Sequence, residues 1–188
     1  MNTPTHLLIG AVALARPDDR SRNSAVVVGS LLPDMPIYLM WLGAKFVFRV
    51  PEREIWQHLY WSEPWQTLGA IVNSLPLYLT LLVLAWGRGM EWLRIFALAA
   101  LLHLAFDFPF HNEDAHRHFW PISDWRFRSP LSYWNSAHHG DIVGIVEIAM
   151  ALVLIVVLWR RFTDWRVRAV LCVPPLSYVG VPLYFSLT

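Results

Sequence analysis

The chain has 188 residues, 56% of them hydrophobic and only 15% charged, with a mean hydropathy of +0.40. That is too apolar for an ordinary soluble domain. The net charge of +1 comes with arginines scattered among loops, so there is no basic face for nucleic acid.

The apolar residues run in long blocks rather than alternating stripes. This predicts an all-α polytopic membrane bundle of about five to six helices, forming one domain over 1–188. The single cysteine, Cys172, excludes an internal disulfide. Thr3-Pro4 starts a first helix that runs to Ala15. At 1.5 Å per residue it reaches roughly 18 Å, short of the ~30 Å hydrocarbon core. Ala13-Leu14-Ala15 resembles a signal-peptidase site, but no basic start precedes it, so a retained helix is expected. After a polar turn, Arg16 to Asn23, a second apolar block runs from Ser24 to Phe48. Leu32-Pro33-Asp34-Met35-Pro36 breaks it, and a break at that depth is tolerated where it lines a cavity.

Arg49 to Glu63 reads as an amphipathic connector carrying His58. Thr67 to Trp86 is expected to be one unbroken span, turned by Gly87-Arg88-Gly89. Trp92 to Phe110 forms the fourth block. Glu113 to Gly140 is a long aromatic, histidine-rich loop between helices 4 and 5, and loops of such length carry function when they are packed. Ile142 to Trp159 spans again, Arg160 to Arg168 turns, and Val170 to Leu187 makes a last span.

With all blocks crossing, one side holds Arg16, Arg20, Arg22, Arg88, Arg94, Arg160, Arg161, Arg166 and Arg168. The other holds Lys45, Arg49, Arg53, Arg117, Arg126 and Arg128. The positive-inside rule puts the first set in the cytoplasm and the second on the opposite side.

The chemistry gathers on the second side. His103 and Asp107 stand four apart on one helix face, where an imidazole and a carboxylate can share a divalent cation. His111 repeats the spacing beyond Pro109. Asp34 is an intramembrane carboxylate and costly unless paired. His6 starts helix 1, while His138, His139 and Asp141 precede helix 5. Up-down connectivity sends all of these to the same membrane face. The expected metal set is His6, Asp34, His103, Asp107, His111 and one of His138 and His139, with a divalent ion such as zinc. Asp34, Asp114 and Asp141 are the candidate general bases. His116-x-His118 is a weaker signal, because a short His-x-His in a loop is common.

Thr5-His6 with Gly10, Pro33-Asp34, His103-x-x-x-Asp107 and Trp120-Pro121-Ile122-Ser123 followed by Arg126-Phe127 resemble the bacterial membrane-bound metal-dependent hydrolases, the LexA-regulated, YdjM-like group. The whole chain, with Asp107-Phe108-Pro109 and Ser132-Tyr133-Trp134, is also similar to short membrane proteins labelled cobalamin biosynthesis protein CobQ. The His-x-x-x-Asp pair is similar to that of the all-α zinc phospholipase C and nuclease fold. That resemblance implies ligand positions at His6, Asp34, His103, Asp107 and His111. The fold's second His-x-x-x-Glu pair has no counterpart here: Val143 stands four residues after His139, and Glu147 comes later. Three readings remain open at this point. The first is a membrane-embedded zinc-dependent hydrolase of a lipid-linked or interfacial phosphoester or amide. The second is a metal-binding or ion-transport protein, and the third a structural membrane protein. The bilayer is a partner in all three, and the oligomeric state is open.

Overall fold

The computed structural model describes residues 1–176, 178 and 180. These residues are helical, with no strand among them. Four stretches are long and apolar enough to cross a membrane: Arg20–Val47, Glu63–Gly87, Glu91–Phe110 and Gly140–Arg161. The first helix, α1 (Thr3–Leu14), is apolar but too short to be one of them. Half of the C-terminal span expected over 170–187 falls outside the described residues.

Helix α2 (Arg20–Leu31) starts earlier than its apolar block, because Asp19 caps it by accepting the Arg22 N–H at 2.9 Å. The predicted break after it is a tightened turn. Leu32–Asp34 forms a single 3₁₀ turn, and α3 (Met35–Leu42) continues from it into a π-turn at Gly43–Val47. Pro33 and Pro36 both sit in first turns, where a missing N–H costs no hydrogen bond. The connector holds a short helical stretch, α4 (Glu52–Glu54), and a second π-turn at Ile55–Leu59. It packs back on α3 in a separate small cluster of Met40, Ala44 and Ile55.

The expected single span over 67–86 is corrected to two helices, α5 (Glu63–Val72) and α6 (Leu75–Gly87). Ser74 caps α6, and Pro76 sits in its first turn. The long loop uses the backbone groups freed by this break. His118 offers its carbonyl to the Leu75 N–H at 2.8 Å, and its Nδ1 lies 3.0 Å from the Asn73 carbonyl. Asn73 also donates to the Pro33 carbonyl at 3.1 Å, which ties the break to the proline turn.

Helix α7 (Glu91–Asp107) runs through the main apolar core and ends in a 3₁₀ turn at Phe108–Phe110. It crosses α2 on small residues, with Ala25, Ala97, Ala99 and Ala100 all buried. A Cβ on Gly29 would lie 2.3 Å from the Phe96 carbonyl oxygen and 2.9 Å from the Ala99 Cβ. Backbone cannot yield as a side-chain tip can. Gly29→Ala is therefore expected to cost about 1–3 kcal/mol, measured as a lowered thermal unfolding midpoint in detergent.

Helix α8 (Gly140–Arg161) turns a broad face outward, with Ile142, Ile145, Val153 and Val156 exposed. Helix α9 (Trp165–Leu171) begins inside the segment read as a turn, capped by Asp164. The loops 14–20, 87–91 and 161–165 meet at one end of the bundle. Arg22 reaches Glu91 at 3.1 Å, and Arg161 donates to the Val12 carbonyl at 2.7 Å. The start of α1, the proline turn, the end of α7 and the loop before α8 lie at the other end.

Candidate metal centre

The centre is built around Asp107. At the end of α7 both Asp107 and His103 are enclosed, each only 1% exposed. Asp107 Oδ1 lies 2.6 Å from the Met1 amino group, 2.8 Å from His6 Nε2 and 3.2 Å from His111 Nε2. Its Oδ2 faces His103 Nε2 at 3.2 Å. The helical repeat places His103 and Asp107 side by side, and the proline-containing 3₁₀ turn brings His111 back to the same carboxylate. Helix α1 supplies His6, whose ring stacks on His103 at 3.6 Å with 14° between the planes.

The imidazoles are arranged as ligands rather than as packing. His103 Nδ1 lies 2.8 Å from the Ser30 carbonyl, an acceptor, so this nitrogen carries the proton. In the neutral ring, Nε2 then holds a lone pair. That lone pair faces two carboxylates, Asp107 at 3.2 Å and Asp34 Oδ1 at 3.5 Å. Either a proton on Nε2 or a metal ion between these groups makes such an arrangement favourable. A backbone carbonyl on the far nitrogen is also the usual outer support of a metal-bound histidine. Both ring nitrogens of His111 are buried without a well-formed hydrogen bond, and so is His6 Nδ1.

Among the described residues, two groups have donor atoms mutually within 4.8 Å: His6, His103 and Asp107, and then Asp107, His111 and His116. They share Asp107. Imidazole nitrogen and carboxylate oxygen are the donor set that zinc takes, so these residues fit the ion. Outside the apolar spans, burial pushes the His116 imidazole down to about 3, with His111 and His118 nearby adding to it. His116 is thus a neutral donor at physiological pH. Burial opposes charge on His111 as well, but the Asp107 and Asp114 carboxylates outweigh it and push this imidazole up to about 9.

Asp34 stands beside the centre rather than within either group. Its Oδ2 accepts the Thr3 hydroxyl at 2.5 Å, and Thr3 in turn accepts from the Tyr38 hydroxyl at 2.9 Å. Asp114 Oδ2 is 3.0 Å from His111 Nδ1 and accepts the Trp134 indole N–H, while its Oδ1 has no partner. Both carboxylates line a cavity of about 520 Å³. His111 and His116 line it as well, together with Ile37, Trp41, Trp56, Tyr60 and Trp65.

His138 and His139, one of which was expected as a ligand, belong to neither group, and neither does Asp141, a candidate general base. His139 is exposed and takes the left-handed conformation, φ 62°, at the entrance to α8. It is followed by Gly140, where a Cβ would meet the backbone of Trp134 and Asn135 at 2.8 Å. The tight turn spends this segment on backbone geometry and directs Asp141 to the Ser136 hydroxyl, 2.8 Å away. Sequence reasoning missed His116 as a group member, the Met1 amino group and the Thr3 hydroxyl. For His116 the signal was the His-x-His spacing.

Among the described residues, the helices bring buried histidines and carboxylates together around one shared aspartate, a donor set that could hold a metal ion. Residues 5–152 match the zinc-dependent phospholipase C family, and the chain belongs to it. It is accordingly a zinc-dependent hydrolase, and the His/Asp clusters provide for the metal. No curated protein and no solved structure matches the chain.

Proposed function

We propose that the protein is a single membrane-embedded domain that hydrolyses a phosphodiester of a membrane phospholipid. The observation that carries this is one cavity lined both by His111, His116, Asp34 and Asp114 and by apolar and aromatic residues, with His111 and His116 grouped with Asp107 behind it. The zinc ligands in this reading are His6, His103, Asp107, His111 and His116. Bound there, zinc lowers the pKa of a coordinated water toward ~7 and polarises a phosphoryl oxygen. Asp34 is the general base: it borders the centre, lines the cavity, and has its second oxygen held by Thr3. Asp114 orients His111 from the outside.

The cavity has the size of a small-molecule pocket, in the range of ~300–1,000 Å³. It admits a phosphate with its headgroup and glycerol, while the acyl chains stay outside. Tyr38, which lines the cavity, is 44% exposed, and Leu39 beside it is 57% exposed. Chains resting on that face of α3 would remain in the bilayer.

Several features support a membrane location. Trp86, Trp92, Trp159 and Trp165 are all exposed near the arginine-rich end, where Arg94 lies over Trp86 and Arg168 over Trp159. Such a belt suits a membrane–water interface. The arginine excess at that end supports a cytoplasmic placement, with the metal centre toward the periplasm of a bacterial inner membrane. The resemblance to the YdjM-like membrane hydrolases supports the same location.

The test is direct. The full chain, reconstituted in long-chain phospholipid vesicles and loaded with zinc, is expected to release diacylglycerol, detected by mass spectrometry. A chelator should stop the release and added zinc restore it. A zinc-loaded protein that turns over no phospholipid would refute the proposal.

A further inference from the structure

Glu147 is the carboxylate that the metal centre does not use. It lies on α8, in the most apolar of the candidate spans, and is 1% exposed. A charge there costs several kcal/mol unless something compensates it. Its Oε1 accepts three donors: the Asn2 N–H at 2.7 Å, the Thr5 hydroxyl at 2.7 Å and the Tyr178 hydroxyl at 3.0 Å. Its Oε2 has no partner among the described residues.

Two of these donors, Asn2 and Thr5, belong to the start of α1. Asn2 is the N-cap of α1 and makes no side-chain cap of its own, so the start of the helix would otherwise hold an unsatisfied N–H. Glu147 supplies the cap from a neighbouring helix and sets a negative charge at the positive end of the α1 dipole. Thr5 lies in the first turn, immediately before His6. Held at Asn2 and at Thr5, α1 is fixed in both depth and rotation. Rotation decides whether His6 meets Asp107, because one residue along a helix turns a side chain by about 100°.

We propose that Glu147 is a positioning residue: it fastens the first turn of α1 to α8 and so holds His6 against Asp107. This rests on the reading of His6 as a zinc ligand. Glu147 touches neither metal nor substrate in this role. Helix α1 is too short to be held by crossing a bilayer, so a polar anchor at its end replaces the grip that a full span would have.

The experiment measures zinc affinity of the purified full chain by competition with a chromogenic chelator, below the unfolding temperature of each variant. Outer residues that orient metal ligands typically change affinity by about 10–100-fold when removed. Glu147→Ala is expected to weaken zinc binding by that factor with helical content unchanged. Glu147→Gln keeps the accepting oxygen and is expected to stay within about threefold of the wild type on the same scale. Thr5→Val, which removes one of the two α1 side-chain and backbone tethers, serves where Glu147→Ala does not fold, and is expected to lose about threefold or more. A folded Glu147→Ala or Thr5→Val with wild-type affinity overturns the proposal. So does a Glu147→Gln as impaired as Glu147→Ala. His103→Ala separates the two levels of the argument. If it loses zinc while Glu147→Ala does not, the positioning role alone fails. If it too binds zinc as the wild type does, the metal centre is misread and the positioning role falls with it.

Discussion

Asp107→Asn is expected to abolish turnover to within about a thousandth of the wild-type rate and to strip zinc from the protein. Asp107 is the one residue common to both groups of candidate ligands. Its carboxylate also offsets the imidazoles of His6, His103 and His111, each within 3.2 Å. An amide of the same shape carries no charge and presents N–H donors where electron pairs are needed. The Lewis-acid contribution of a bound metal is worth several kcal/mol, and at about 1.4 kcal/mol per tenfold a loss of about 10³ follows. Zinc per chain by elemental analysis and phospholipid turnover check the two halves. His138→Ala and His139→Ala are the controls, since both lie outside the groups, and they should keep zinc and rate. Full zinc content and rate in Asp107→Asn would place the centre elsewhere.

Asp34→Asn is expected to separate catalysis from metal binding. Asp34 approaches His103 Nε2 at 3.5 Å yet falls outside both ligand groups. As a proton acceptor in the transition state it should contribute about 10²–10⁴-fold. Turnover should therefore fall by about 10²-fold or more while zinc stays bound. Asp114→Asn should act differently: it loosens His111, so zinc affinity falls along with rate. Steady-state kinetics together with zinc content on both variants distinguish the roles. If Asp34→Asn retained full activity, the base would have to be sought in Asp114.

Much of this centre was legible because helices translate spacing into direction. His103 and Asp107 share a face through the 3.6-residue repeat, and His111 follows because a proline turn prolongs the path without reversing it. Asp34 stood out as a charge between two prolines in an apolar block. His6 could be placed with them by counting crossings. The loop offered no such ruler. Among residues 111–139, position along the chain says little about position in space, and that is where His116 was undervalued and His138 and His139 were overvalued. His139 followed by Gly140 answers to a tight left-handed turn, which a histidine count does not reveal.

The break between α5 and α6 was missed for another reason. Uniform hydropathy over 67–86 masked a local stop, although Asn73-Ser74-Leu75-Pro76 carries a helix cap followed by a proline. Its cause lies across the molecule, since His118 is what satisfies the opened backbone at Asn73 and Leu75. A partner that distant leaves no trace in the local pattern.

The seating of α1 has a consequence for how the protein is made. The helix at the front of the chain is fastened by Glu147 on α8, and its His6 meets Asp107 on α7. Translation delivers α1 first and its moorings last. A nascent chain still lacking α8 therefore has no finished pocket for a cation, and ion capture must wait until the later helices have arrived and drawn α1 in among them.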